Sequence, residues 1–426
     1  MRKRILPALL LILCGILTSC SGSKYEATDI RLFCPSIHAG YESEYDDDMI
    51  YYNPFCSNNM ATAGGRQYLI VDEGINPAAV GEMTDELYLL RSQNEQWERI
   101  ATISKSTKNG NNVCHLLVGN GDTLYAVTEV DTGICVYQFM ESADGMQVFP
   151  YTYQIKHEPQ RKFLNIGAVL DPNASVNGMI YMVYSINRNL YLLQYDIAYD
   201  RFEETDLKVQ EALNDANPFL FLRDDGALEF IAPNERSIVY YLLESSDQKT
   251  YSVSKSLQLG STFENYSLGM DFLSDGDAAY DAEGNLHVIY TIIDLDNLES
   301  QNLARSVIKD GIITEETVLM PNSHNMIQMF NGLDGELYFV LIQDEHFVQP
   351  AALFSQTQIG DPDGWVQGAL YLLDAHGVEE LSEIYIDHVP YVKYDFLVCP
   401  DEHGRTFYLY YKGWFTNDLV TCTINY

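Results

Sequence analysis

Two short segments combine the residue types that hold sugars and other polar ligands. In Asp361-Pro-Asp363-Gly-Trp365 an indole follows two carboxylates, and in Lys412-Gly-Trp414-Phe415 a second tryptophan sits beside a glycine. An aromatic face stacks on the apolar side of a sugar ring while carboxylates accept hydrogen bonds from its hydroxyls. Trp365, Asp361, Asp363 and Trp414 are therefore the candidate ligand-binding residues. The competing reading is that both indoles pack between structural repeats. Asp46-Asp47-Asp48 and Asp294-Leu-Asp296-Asn297 are further acid clusters. A hard cation such as Ca2+ takes several oxygens from one loop, but the EF-hand spacing is not matched. Ca2+ is the one ion these loops would suit, ordinary turns are the alternative, and otherwise no cofactor is expected.

No catalytic residue stands out. Gly-x-Ser-x-Gly, His-Glu-x-x-His, the P-loop and Gly-x-Gly-x-x-Gly are all missing from the sequence. With 61 Asp and Glu in the chain, a glycosidase pair cannot be chosen by spacing. The nine histidines show no metal spacing, and His287, inside an apolar strand, reads as a core residue with its polar atoms satisfied. Against the 61 acids stand 25 Lys and Arg, a net charge of −36, which excludes counterion-driven binding to nucleic acid and makes anionic membrane surfaces poor partners. The 46% of hydrophobic residues, with 31 Tyr and 18 Phe, is enough for a large folded core in 426 residues.

The N-terminus carries an export address. Arg2-Lys3-Arg4 precedes an apolar run from Ile5 to Leu17, and Leu17-Thr18-Ser19-Cys20 follows. The run is short for a bilayer span and has the form of a cleaved signal. Its ending resembles the bacterial lipobox, which implies cleavage before Cys20 and lipidation of that cysteine. Residues 1–19 are then the signal, 20–24 a lipidated tether, and 25–426 one domain, exported and held at the bacterial cell membrane by lipid alone.

Of the other cysteines, Cys14 lies in the signal. The remaining six fall as Cys34/Cys56, Cys114/Cys135 and Cys399/Cys422, separated by 22, 21 and 23 residues. Up to three local disulfides across hairpins would suit an exported protein. The alternative is six small buried hydrophobes.

A unit of glycine turn, apolar strand, loop and second strand recurs along the chain. The turn glycines are Gly65, Gly121, Gly178, Gly226, Gly284, Gly335 and Gly404, spaced by 56, 57, 48, 58, 51 and 69 residues. Strands such as Met179–Tyr184 and Asn285–Tyr290 follow them, and strands such as Asn189–Tyr195 and Ala369–Leu373 come next. Many are apolar on both faces, as in a sheet packed between two others. The best helical signal, Glu203–Asn214, is short and polar. Sheets of about four strands repeated near every 50 residues, with few helices, predict an all-β propeller. About 57 residues per repeat favours seven blades, with six or eight open, and residues 25–52 would complete the final blade.

The pattern resembles bacterial secreted and lipid-anchored propellers loosely grouped with sialidase-type repeats. Asp281-Ala-Glu-Gly-Asn-Leu-His287 stands where such a repeat would carry Ser-x-Asp-x-Gly-x-x-Trp, but the Ser, the second-position Asp and the Trp are missing, so sialidase activity does not carry over. The 69-residue spacing reflects an insertion, Asp344–Gly368, which contains Trp365. The leading expectation is a non-enzymatic binding module for carbohydrate or a cell-surface protein. A glycan-degrading propeller enzyme and a scaffold subunit of an envelope complex are the alternatives.

Overall fold

A computed structural model describes residues 26–27, 31–33, 60–72, 86–93, 96–104, 114–143, 145–156, 164–186, 189–210, 218–234, 237–245, 247, 250–264, 266–268, 276–296, 301–321, 326–331, 336–343, 366–374, 377–386, 392–400, 406–413 and 417–425. Their strands pair into seven antiparallel sheets. In chain order, the first sheet is Met60–Ala63, Arg66–Asp72, Glu86–Gln93 and Gln96–Ser104, and the second is Cys114–Val118, Leu124–Val130, Gly133–Ser142 and Gly145–Gln154. The third is Ile166–Asp171, Met179–Ile186, Asn189–Asp196 and Arg201–Gln210, and the fourth is Phe219–Leu222, Leu228–Asn234, Ser237–Ser245 and Tyr251–Gln258. The fifth holds Asp277–Tyr280, Leu286–Asp294, Gln301–Lys309 and Ile312–Met320, with Tyr266–Leu268 added beside Leu286–Asp294. The sixth is Met326–Asn331, Leu337–Gln343, Val366–Asp374 and Gly377–Ile386. The last is Val392–Pro400, Thr406–Gly413 and Asn417–Asn425, completed by Glu26–Ala27 and Arg31–Phe33 from the other end of the chain.

This is the propeller that the repeat predicts. First strands touch first strands from sheet to sheet: Met60–Ala63 meets Cys114–Val118, which meets Ile166–Asp171, which meets Phe219–Leu222. Asp277–Tyr280 meets Met326–Asn331, which meets Val392–Pro400, and that strand returns to Met60–Ala63. The alternation of a strand explains the doubly apolar sequences. Ile180, Met182 and Tyr184 pack against the second sheet, whereas Tyr181 and Val183 of the same strand pack against the fourth. Each fully buried aliphatic side chain in these seams stabilises the fold by roughly 1.5–3 kcal/mol.

The turn glycines do what the sequence asks of them. Gly226 and Gly284 lie at φ of 84° and 76°, where a side chain would be strained. The backbone N–H of each donates to the carbonyl three residues earlier, closing the turn between first and second strands.

Glu203–Asn214, where a short helix or a loop with one helical turn were the readings, contains neither among its described residues: Arg201–Gln210 is the outer strand of the third sheet, paired with Asn189–Asp196. Glu203 and Asp206 face solvent while Phe202, Glu204, Leu207 and Val209 pack inward, so tertiary packing decides the state of a polar segment. The local disulfide Cys114/Cys135 is not formed. Cys114 and Cys135 both lie opposite Thr128, one on each side of its strand. That places them two strand spacings apart, about 10 Å, too far for a disulfide, and each sulfur is a thiol. Cys399 and Cys422 are placed opposite Tyr408 and Phe407, on the two strands flanking Thr406–Gly413. Cys34 and Cys56 lie outside the described residues.

Candidate functional site

Strand order sorts the connections onto two faces. In each sheet the links from first to second and from third to fourth strand leave one face, and the links from second to third strand leave the other. Contacts across sheets confirm the first face: Arg223, in a first-to-second turn, reaches Asp310, in a third-to-fourth turn of the next sheet, at 3.5 Å. Asn120 Nδ2 likewise donates to Pro172 O at 2.7 Å between two first-to-second turns.

The residues singled out for ligand binding fall on the second set of links. Asp361, Asp363 and Trp365 lie between Gln343 and Val366, and Trp414 lies between Gly413 and Asn417. These are the second-to-third connections of adjacent sheets. All four residues, with Asp46–Asp48 and Cys20, are outside the described residues. Asp294 is used locally, its Oδ1 accepting from Asp296 N at 2.9 Å. No group of three or more His, Cys, Asp or Glu suited to a metal occurs among the described residues.

Beneath the first face lies a layer that sequence reasoning missed. Just past six of the seven turn glycines the second strand carries a buried residue with a polar tip: Tyr68, Tyr125, Tyr181, Glu229, His287 and Tyr338. In the second and third sheets these tyrosines meet Gln138 Nε2 at 3.2 Å and the Tyr251 hydroxyl at 3.4 Å. The fourth and fifth sheets replace tyrosine by Glu229 and His287, and the chemistry concentrates there. The signal was present in sequence as an offset of three residues from the glycine, four at Gly121.

Glu229 Oε1 accepts from the Tyr240 hydroxyl at 2.7 Å and from Arg223 Nη1 at 3.1 Å. Its Oε2 accepts from the hydroxyl of Tyr280, which ends the first strand of the next sheet. Burial, reinforced by the carboxylate, drives both tyrosine hydroxyls well above their ordinary pKa, so they stay protonated donors. The next residue, Asp281, serves the other side. Its Oδ2 accepts from Asn285 Nδ2 at 2.7 Å and meets His287 Nε2 at 2.9 Å, while Oδ1 accepts from Asn285 N and Glu283 N. Burial works against the Asp281 charge, but the hydrogen bonds from Asn285 and His287 outweigh it and hold its pKa low. Burial lowers the pKa of His287, against the pull of Asp281, and its Nδ1 is buried without a partner among the described residues. His287 is thus oriented by a carboxylate at one nitrogen only, where the sequence suggested a fully satisfied core residue.

Other carboxylates also join separate segments of the chain. Glu204 Oε2 accepts from Tyr184 at 2.5 Å and from Tyr153 of the preceding sheet at 2.7 Å. Glu316 accepts from Gly260 N, Thr262 N, Thr262 Oγ1 and Ser306 Oγ. Asp277 Oδ2 accepts from Met329 N of the next first strand at 2.7 Å, and burial raises its pKa to about 7. The mirror case is His115, bonded through Nε2 to Ile166 O of the next first strand at 2.5 Å, which burial depresses to about 4. Together these groups tie sheets to one another. Glu229, at 3% side-chain exposure with both oxygens engaged, presents nothing to a substrate.

No family model and no curated protein matches the sequence. Among solved structures, the chain is similar to a fungal alcohol oxidase of the AA5 family in complex with copper, with a TM-score of 0.53 at 10% identity, covering 88% of this chain and 75% of that one. It is similar to a puromycin-hydrolyzing peptidase of Mycobacterium tuberculosis, with a TM-score of 0.51 at 11% identity, over 88% of this chain and 52% of that one. A polysaccharide lyase, Uly1, aligns with a TM-score of 0.49 at 9% identity, over 94% and 98% of the two chains. At such identities the likeness concerns the fold alone.

Proposed function

We propose that this protein is an exported, lipid-anchored β-propeller that binds carbohydrate or a cell-surface protein without turning it over. The observation that carries this reading is the employment of the inward-facing carboxylates: Glu204, Glu229 and Asp277 are each bonded to a group of the neighbouring sheet, and Glu316 holds the connection at Gly260 and Thr262. An enzyme of the hydrolase or lyase type needs acids presented to substrate. The rigid scaffold leaves the second-to-third connections to present ligand-binding groups, and Trp365, Asp361, Asp363 and Trp414 supply the aromatic and acceptor chemistry for a sugar. Cys20 supplies the anchor.

The test is a glycan array probed with the full chain, run beside a panel of glycoside and polyuronide substrates. Binding to a defined glycan that drops at least tenfold in Trp365→Ala, with no product released from any substrate, is the expected result. Turnover of any substrate, lost on replacing Asp361 or Asp363, would overturn the binding reading in favour of a glycan-degrading enzyme.

A further inference from the structure

The pairing of the chain's two ends fixes which face the anchor holds. Asn417–Asn425, the third strand of the last sheet, starts on the face of the second-to-third links and ends on the opposite face. Glu26 lies opposite Asn425 and Phe33 opposite Leu419, so the N-terminal strand enters the sheet on the face of the first-to-second turns. From Cys20 to Glu26 there are six residues, which reach at most about 20 Å when fully extended. The two faces are farther apart: Leu286–Asp294 runs from one to the other, and nine residues at the rise of a strand span about 30 Å. The tether is too short to carry the anchor past the edge of the last sheet to the other face.

We infer that the face of the first-to-second turns is held toward the bilayer and that the second-to-third connections, those containing Asp361, Asp363, Trp365 and Trp414, point away from it. This orientation rests on the proposed lipidation of Cys20. Tether length, not charge, sets it. Asp122, Asp200, Asp225, Glu283 and Asp310 are exposed on the membrane-side face, so an anionic lipid surface repels it. The ligand-binding loops are thereby displayed outward, where a surface polymer or a neighbouring protein is met first.

Glu283 and Leu295 flank the single strand Leu286–Asp294 and are both exposed, so they sit at one distance from the last sheet but on opposite faces. The full-length acylated protein, purified from membranes and reconstituted in phosphatidylcholine vesicles, would carry a genetically encoded fluorescent residue at position 283 or 295. Energy transfer to a headgroup-labelled acceptor lipid is measured for each, with Cys20→Ser as the unanchored control. The expected result is transfer from position 283 at least twice that from 295, with no vesicle association of Cys20→Ser. Equal transfer, or stronger transfer from 295, with association still dependent on Cys20, would overturn the orientation and leave the anchor standing. Association that is absent, or unchanged in Cys20→Ser, would remove the anchor and the orientation together.

Discussion

Glu229 gathers three donors from two sheets, and its replacement separates the contributions of charge and shape. Glu229→Gln keeps the volume but leaves Arg223 without its buried counter-charge and puts an N–H where one hydroxyl now donates. The expected loss is about 2–4 kcal/mol, and Tyr280→Phe, which removes one donor, should cost about 1 kcal/mol. Urea midpoints of the two variants check both values; a Glu229→Gln protein as stable as the parent would show that the cluster holds nothing together. Asp277 makes a prediction with the opposite sense of pH from most acids. Burial lifts it to about 7, above its ordinary 3.8, although Met329 N and Ala278 N pull the other way. Between pH 4 and 7 the unfolded chain releases a proton that the folded chain keeps, so stability contributed by this group is present below pH 4 and lost as pH rises to 7. Relative to the parent, Asp277→Asn should gain on the order of 3 kcal/mol across that window. Parallel pH profiles for the two proteins would contradict this. His115 runs the other way: depressed to about 4, its contribution is present above pH 6.5 and lost as pH falls toward 4.

At the scale of the element, two glycines do different work. Gly226 is a turn residue at φ 84° with open space around it, so Gly226→Ala is expected to cost about 1 kcal/mol, the strain of a left-handed alanine. Gly167, in the first strand of the third sheet, is not in that region, but a Cβ there would collide with the carbonyl of Pro218 at the head of the next first strand. Gly167→Ala should cost at least twice as much as Gly226→Ala in the same thermal or urea experiment. Equal costs would mean that the first strands are not packed as described. The sequence made the second and third strands of most sheets legible, because turn glycines and doubly apolar runs mark them. Outer strands were not legible. Gly145–Gln154 and Arg201–Gln210 carry a solvent-facing side, so their composition is that of a loop or a polar helix until a neighbour is known. The Cys114/Cys135 spacing misled for a related reason: the two residues lie on strands that flank a third, a relation that only sheet order reveals.

The whole molecule is a set of sheets that none could shield alone, and its integrity depends on how the ends meet. The sequence anticipated that residues 25–52 would finish the last sheet, and Glu26–Ala27 and Arg31–Phe33 do so. The polar layer under the turns was readable as an offset of three or four residues from glycine, yet the sequence alone does not join Glu229 or His287 to their partners Tyr280 and Asp281, which are consecutive residues serving different sheets. The proposed binding residues were chosen by chemistry alone, and strand order adds that their segments leave adjacent sheets on one side. The most direct test of the account is the covalent capture of ring closure. Leu32 and Val420 are cross-strand partners, so Leu32→Cys with Val420→Cys places two thiols on paired backbone positions. After mild oxidation and digestion, mass spectrometry should find the peptides containing positions 32 and 420 joined, and the oxidised protein should unfold at higher urea concentration. Absence of that linkage in folded protein, with both thiols open to alkylation, would contradict a propeller closed by its own N-terminal strand.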